Sequence, residues 1–154
     1  IALFERQKVL SKEEVESRYE ILMDEYEKQI NIEALTMLDI AKKDILPAAS
    51  KFSKELTDTI ANKKAIGIDL TYELETAKKV SEYLTEAYQA MMTLENDVKK
   101  LHEIDDFEKS AFYVRDFIIQ DMGALRKPCD ELEVITSNRD WPFPTYGKLL
   151  FGIQ

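Results

Sequence analysis

The sequence predicts an all-α protein, built as an elongated antiparallel bundle of about three long helices. It holds only four glycines and four prolines, and neither type occurs between Gly67 and Gly123. Average usage of about 12% glycine plus proline would place about six or seven in that stretch. Apolar residues also recur at steps of three and four positions, which is typical of helix faces and not of strands.

The first predicted helix spans residues 12–66. Ser11 and Glu14 have the spacing of a capping box, in which each side chain binds the other residue's backbone N–H. Gly67 follows two lysines and marks the end of the helix, where cations favour the negative end of the helix dipole. Pro47 lies in the middle and lacks an N–H, so the helix must be kinked or broken near it, and the continuing apolar spacing favours a kink.

The second and third helices are predicted at residues 70–103 and 106–137. Asp105 and Glu108 suggest a capping box for the third helix, and the short linkers make neighbouring helices antiparallel. Gly123 and Pro128 lie inside the third helix, for which a kink and a break near them are the two alternatives, as they are near Pro47 in the first helix. The apolar positions of the second helix keep a mean step near 3.5, as a seam against a partner helix requires: they are Leu70, Leu74, Ala77, Val80, Leu84, Ala87, Met91, Leu94, Val98 and Leu101.

Residues 138–154 form the predicted tail, which is rich in aromatic residues and proline. Pro142 and Pro144 impose an extended path, because a residue before proline avoids the α region. Two interpretations stay open: the tail plugs the end of its own bundle, or it docks on another domain or subunit. The residues predicted to make this contact are Trp141, Phe143, Tyr146, Leu150 and Phe151.

Charge and composition narrow the class of protein. The chain has 21 basic and 30 acidic residues, a net charge of −9, and a pI near 4.8. This excess of acid opposes binding to nucleic acid or anionic lipid, and no apolar run is long enough to predict a membrane span. A single cysteine is compatible with a reducing cytoplasm. The start lacks an initiator Met and a basic segment, so we expect the edge of a longer chain rather than a signal peptide.

Few residues are candidates for chemistry. The single histidine, His102, lies near a helix end, and Cys129 occupies an apolar seam position, where an inert core thiol is expected. Acidic neighbours in sequence point about 100° apart on a helix and do not converge on an ion. The sequence therefore predicts no catalytic, cofactor-binding or metal-binding residue. The stretch 31–46 has apolar residues around most of the helix, which fits either a central core position or a helix covered on its second side by another body.

Two blocks of the sequence resemble a known family. The stretch from Asn31 to Ala48, and Asp130-Glu131-Leu132-Glu133 followed by Trp141-Pro142-Phe143-Pro144-Thr145-Tyr146, are similar to the C-terminal region of the type III glutamine synthetases, the large-subunit bacterial form. The likeness covers nearly the whole chain at the right relative spacing.

The resemblance implies a parent enzyme that makes glutamine from glutamate, ammonia and ATP with Mg²⁺ or Mn²⁺, in a large cytoplasmic homo-oligomer. It implies that the catalytic residues lie in an upstream core, so the chain alone would be an inactive helical domain, residues 1–154, that packs against this core and neighbouring subunits. The alternative from the sequence is a stand-alone acidic coiled-coil module for protein interaction.

Overall fold

Helices make up the regular structure of the computed structural model, which describes residues 2–144 and 146–152, without the side chains of Ala2, Glu5 and Tyr146. No strand occurs in these residues, so the all-α prediction is confirmed. In this described part, two π-helical turns, Ala41–Ile45 and Val114–Ile118, join consecutive helices. The α-helices are α1 (Ala2–Arg6), α2 (Lys12–Ile40), α3 (Leu46–Ala65), α4 (Thr71–Leu101), α5 (Phe107–Tyr113), α6 (Ile119–Ile135) and α7 (Tyr146–Phe151).

The predicted count of about three long helices is corrected by the structure. Among the described residues, the long helices are α2, α3, α4 and α6, of 29, 20, 31 and 17 residues. The count differs because π-helical turns divide two of the predicted helices. The first turn lies just before Pro47, which has no N–H to donate to the carbonyl of Lys43, and there the N–H of Leu46 reaches back to the carbonyl of Ala41. Helix α3 follows this turn directly, so the helical path is not broken at Pro47.

The helix ends follow local chemistry. The backbone N–H of Glu14 donates to Ser11 Oγ at 3.2 Å, and that of Ser11 donates to Glu14 Oε2 at 2.7 Å, which confirms the first capping box. Gly67 ends the α3 segment with φ at +73°, a conformation that glycine adopts without strain. The second capping box is wrong by one residue, because Asp106 is the N-cap and accepts from the N–H of Lys109 at 2.9 Å.

The core lies along α4, which packs against both α3 and α6. Two contacts show that α2 and α4 are antiparallel: Lys42, just after α2, pairs with Glu95 of α4 at 2.6 Å, and Asn31 of α2 lies 3.0 Å from the ring of His102, just after α4. The buried residues of α4 follow the predicted mean step near 3.5, which keeps one seam facing a neighbouring helix: they include Val80, Ala87, Leu94 and Leu101.

Candidate docking surface

The start of the C-terminal tail is fixed to α3 by an ion-pair cluster. The buried carboxylate of Asp140 accepts from Lys51 Nζ at 2.9 Å and from Arg139 Nη2 at 3.1 Å. Arg139 also pairs with Glu55. The hydrogen bond from Lys51, followed by that from Arg139, lowers the pKa of Asp140 below its ordinary value. These contacts hold the chain beside α3 at the point where the aromatic residues begin.

Trp141 continues this attachment. Its side chain is half-buried against the core, and its backbone N–H donates to the carbonyl of Ser137 at 2.9 Å. The ring of Phe143 meets the indole edge-on, with centroids 6.2 Å apart and planes at 70°. Within the described residues, the buried indole Nε1 has no hydrogen-bond partner. Trp141 therefore lies on the bundle of its own chain, and the exposed Phe143 packs on its indole ring.

The second part of the tail presents its apolar side chains to solvent. In α7, Leu150 is 72% exposed and Phe151 is 81% exposed, and Leu149 is exposed beside them. The structure thus separates the four predicted contact residues whose side chains it describes, instead of joining them in one cluster. Trp141 lies against the bundle, Phe143 contacts the Trp141 ring but is exposed, and Leu150 and Phe151 point outward. The side chain of Tyr146, like residue Thr145, lies outside the described part of the chain.

A groove between α2 and α6 is a surface that sequence reasoning did not locate. Its volume is about 570 Å³, and α2 contributes Ile32, Met37 and Ile40 to its lining, while α6 contributes Met122 and Leu125. The apolar residues around most of the helix in 31–46 were its only sequence signal. One side of that stretch is in the core, whereas Ile32 is 61% exposed.

Two carboxyl groups face each other where α4 meets α6. Asp97 accepts from Lys100 Nζ and from the hydroxyl of Tyr113 at 3.1 Å, and the Lys100 bond, as the main cause, lowers the pKa of Asp97. Burial, together with the nearby Asp97, raises the pKa of Asp121 to about 6. No sequence signal pointed to this pair, because 24 positions separate its members.

The two residues considered for chemistry occupy structural positions. His102 lies beside Asn31 in the contact between α2 and α4. Cys129 is buried, and burial, with a smaller effect of Asp130, raises the pKa of its thiol to about 11. No group of three or more His, Cys, Asp and Glu side chains that could hold a metal ion occurs in the described ranges. None of the described helices is long and apolar enough to cross a membrane.

Comparison with known proteins supplies the family. A protein-family model described as the glutamine synthetase C-terminal domain matches residues 1–64, which run from α1 into α3. A glutamine synthetase of Butyrivibrio fibrisolvens is 35% identical over 156 residues, which cover 100% of this chain and 22% of that protein. A type-3 glutamine synthetase of Dictyostelium discoideum is 30% identical over 98% of this chain and 21% of its own length. The chain corresponds to the C-terminal domain of a glutamine synthetase.

The resemblance seen in the sequence is therefore confirmed. A glutamine synthetase of Bacteroides fragilis (strain YCH46) adds a match of 23% identity over 94% of this chain and 21% of that protein. The chain spans about a fifth of the length of the curated relatives it matches. These matches do not favour the alternative of a stand-alone coiled-coil module. The tail lies beyond the family-model match but within the matched length of the Butyrivibrio fibrisolvens relative.

Proposed function

We propose that residues 1–154 form one helical domain of a type III glutamine synthetase and that this domain packs against the catalytic core and neighbouring subunits of a cytoplasmic homo-oligomer. The whole enzyme would join glutamate and ammonia with ATP and divalent metal ions. We assign no residue of this chain to that chemistry. The domain's role is to support the assembly.

The observation that carries this proposal is the exposed apolar end of the tail. Leu149, Leu150 and Phe151 follow each other in α7 and are all exposed, although an aromatic side chain can bury about 150–250 Å² when packed. The ion pairs of Asp140 hold the start of this segment to α3, which reduces the conformational entropy that docking would cost. A segment attached at one end and apolar at the other is suited to a contact outside its own bundle.

The test replaces Leu150 and Phe151 with glutamate in the full-length synthetase. Burying two new carboxylates in an apolar contact is costly, so we expect the variant to dissociate at protein concentrations where the parent enzyme stays assembled. Light scattering measures the assembly mass, and glutamine formation is followed in parallel. Val134→Glu is the matched control, because Val134 is 82% exposed on α6. The same assembly mass and activity in variant and control would contradict a docking role for the tail.

A further inference from the structure

The apolar seam of α2 continues beyond the part that its own bundle covers. Ala34 and Leu38 of the seam are buried, but no side chain in residues 12–30 is. The reason is the length of α4, which ends at Leu101 and brings His102 beside Asn31. Because α4 and α2 are antiparallel, α4 does not run alongside residues 12–30. In its described residues α2 also contacts α1, α5 and the turn Val114–Ile118, but these neighbours leave no side chain of residues 12–30 buried.

An apolar surface, named the open face, results at this end of the bundle. Its members share one side of α2 at steps of three and four residues, together with one aromatic ring of α5, and they are Val15, Tyr19, Leu22, Tyr26 and Phe107. Leu22 is 64% exposed. The rings of Tyr19 and Phe107 meet edge-on with centroids 6.4 Å apart, and the Tyr19 hydroxyl donates to Glu108 at 3.1 Å.

A hollow of about 400 Å³ lies within the open face. The side chains of Val15, Tyr19 and Phe107 give it an apolar and aromatic surface, and Glu16 and Glu20 place carboxylates at its edge. This combination suits the side chain of arginine or lysine, whose carbon stem packs on apolar surface while the cation meets carboxylates and ring faces.

The surroundings of the open face are strongly acidic. Residues 12–30 hold seven acidic and three basic side chains. Two of the three bases pair within the helix, Lys12 with Glu16 at 3.6 Å and Lys28 with Asp24 at 2.6 Å. A second copy of the same face would bring acid against acid, which opposes self-association. A partner with an apolar centre and a basic rim complements both features.

We infer that the open face docks on a basic-rimmed apolar surface of the synthetase outside residues 1–154, in the same or a neighbouring subunit. The inference rests on the proposed function, and it adds a second contact, distinct from the tail, with the chemistry of the surface that it meets. The chain spans about a fifth of its relatives' length, so most of such an enzyme lies outside this domain and is available as the partner.

The experiment places a photoreactive amino acid at Leu22 in the full-length synthetase and maps its crosslinks by mass spectrometry. We expect crosslinks to a segment outside residues 1–154 that carries lysine or arginine, at a yield about tenfold above that from the same amino acid at Val134. Crosslinks confined to residues 1–154 of a second copy, or a yield equal to that at Val134, would overturn the inference. A third variant carries the photoreactive amino acid at Leu150. Crosslinks from Leu150 alone would preserve the proposed function while removing the open face from it.

Charge reversal tests the chemistry of the partner. Glu16→Lys with Glu20→Lys should lower the Leu22 crosslink yield about tenfold at low salt, because like charges then meet. Reversing the crosslinked lysine or arginine on the partner should restore the yield. The control is Asp58→Lys with Glu75→Lys, two exposed acidic residues of α3 and α4, which should leave the yield unchanged. A yield that Glu16→Lys and Glu20→Lys do not lower would overturn the basic character of the partner.

Discussion

Asp121 carries the largest carboxyl pKa change in this part of the bundle. Its pKa rises to about 6 because it is partly buried and faces Asp97. Since the folded pKa lies above the ordinary value of 3.8, the Asp121 carboxyl takes up a proton on folding when the pH lies between 3.8 and about 6. This contribution to stability is present in acid and is lost as the pH rises through about 6. Lys100 and Tyr113 face the same pair and stabilise Asp97 as the charged member.

The first prediction concerns Asp121→Asn. An amide can donate to Asp97 at any pH, as the protonated carboxyl does, so the variant should melt about 2–4 °C higher than the parent at pH 8 and about equally at pH 4. Thermal unfolding followed by circular dichroism at both pH values measures this. Asp116→Asn is the control, because Asp116 is exposed and paired with Arg115. An equal rise in melting temperature at both pH values would contradict a link between stability and the protonation of Asp121.

The second prediction concerns Cys129, which lines the groove between α2 and α6 yet is buried. Burial raises the pKa of its thiol from 9.0 to about 11. The reactive thiolate should therefore be about a hundredfold scarcer near pH 8 than for an ordinary thiol. Ellman's reagent should react at least about a hundredfold more slowly with the native protein than with the protein in denaturant. Comparable rates in the two conditions would show that the Cys129 thiol is not buried and that its pKa is not raised.

Among the elements, the π-helical turn Ala41–Ile45 has a local cause that can be tested. A π-helical turn contains one residue more than the α-helical turn it replaces. Here it precedes a proline, which has no backbone N–H to donate in a hydrogen bond. Deleting Lys43 should restore an α-helical register and place Pro47 inside a regular helix. We expect this deletion to cost about 3 kcal/mol of unfolding free energy.

Pro47→Ala completes the comparison as a double-mutant cycle. It should change stability little by itself and recover most of the loss when combined with the Lys43 deletion. Urea unfolding of the four proteins gives the coupling free energy. Independent, additive effects would mean that the turn does not arise from the proline.

Among the helices, the sequence predicted the features that depend on residues close in sequence and missed those that depend on residues distant in sequence. The Ser11 cap, the end at Gly67 and the seam of α4 depend on residues within a few positions, and all are present. The π-helical turn Val114–Ile118 contains no proline or glycine from which it could have been predicted. The open face could not be predicted either, because the seam of α2 continues unchanged past Asn31 and only the end of α4 decides where burial stops.

For the whole molecule, the helix lengths predict an elongated shape. The 31 residues of α4 extend about 46 Å at about 1.5 Å per residue, which exceeds the diameter of about 39 Å of a sphere with the radius of gyration of about 15 Å that a compact domain of this size has. Small-angle scattering of the domain should give a radius clearly above about 15 Å and a distance distribution with a long tail. A symmetric distribution with the compact radius would contradict elongation.

The anchor of Asp140 on Lys51 has a mechanical consequence for such a shape. Lys51 lies 29 positions after Leu22 of the open face, which is about 44 Å along a helical path at about 1.5 Å per residue, so the tail anchor and the open face are far apart on the same helical body. With both proposed contacts made, the domain becomes a spacer of fixed length between two parts of the enzyme. A shift of one part must then move the other, because helices yield to stretching only by losing hydrogen bonds.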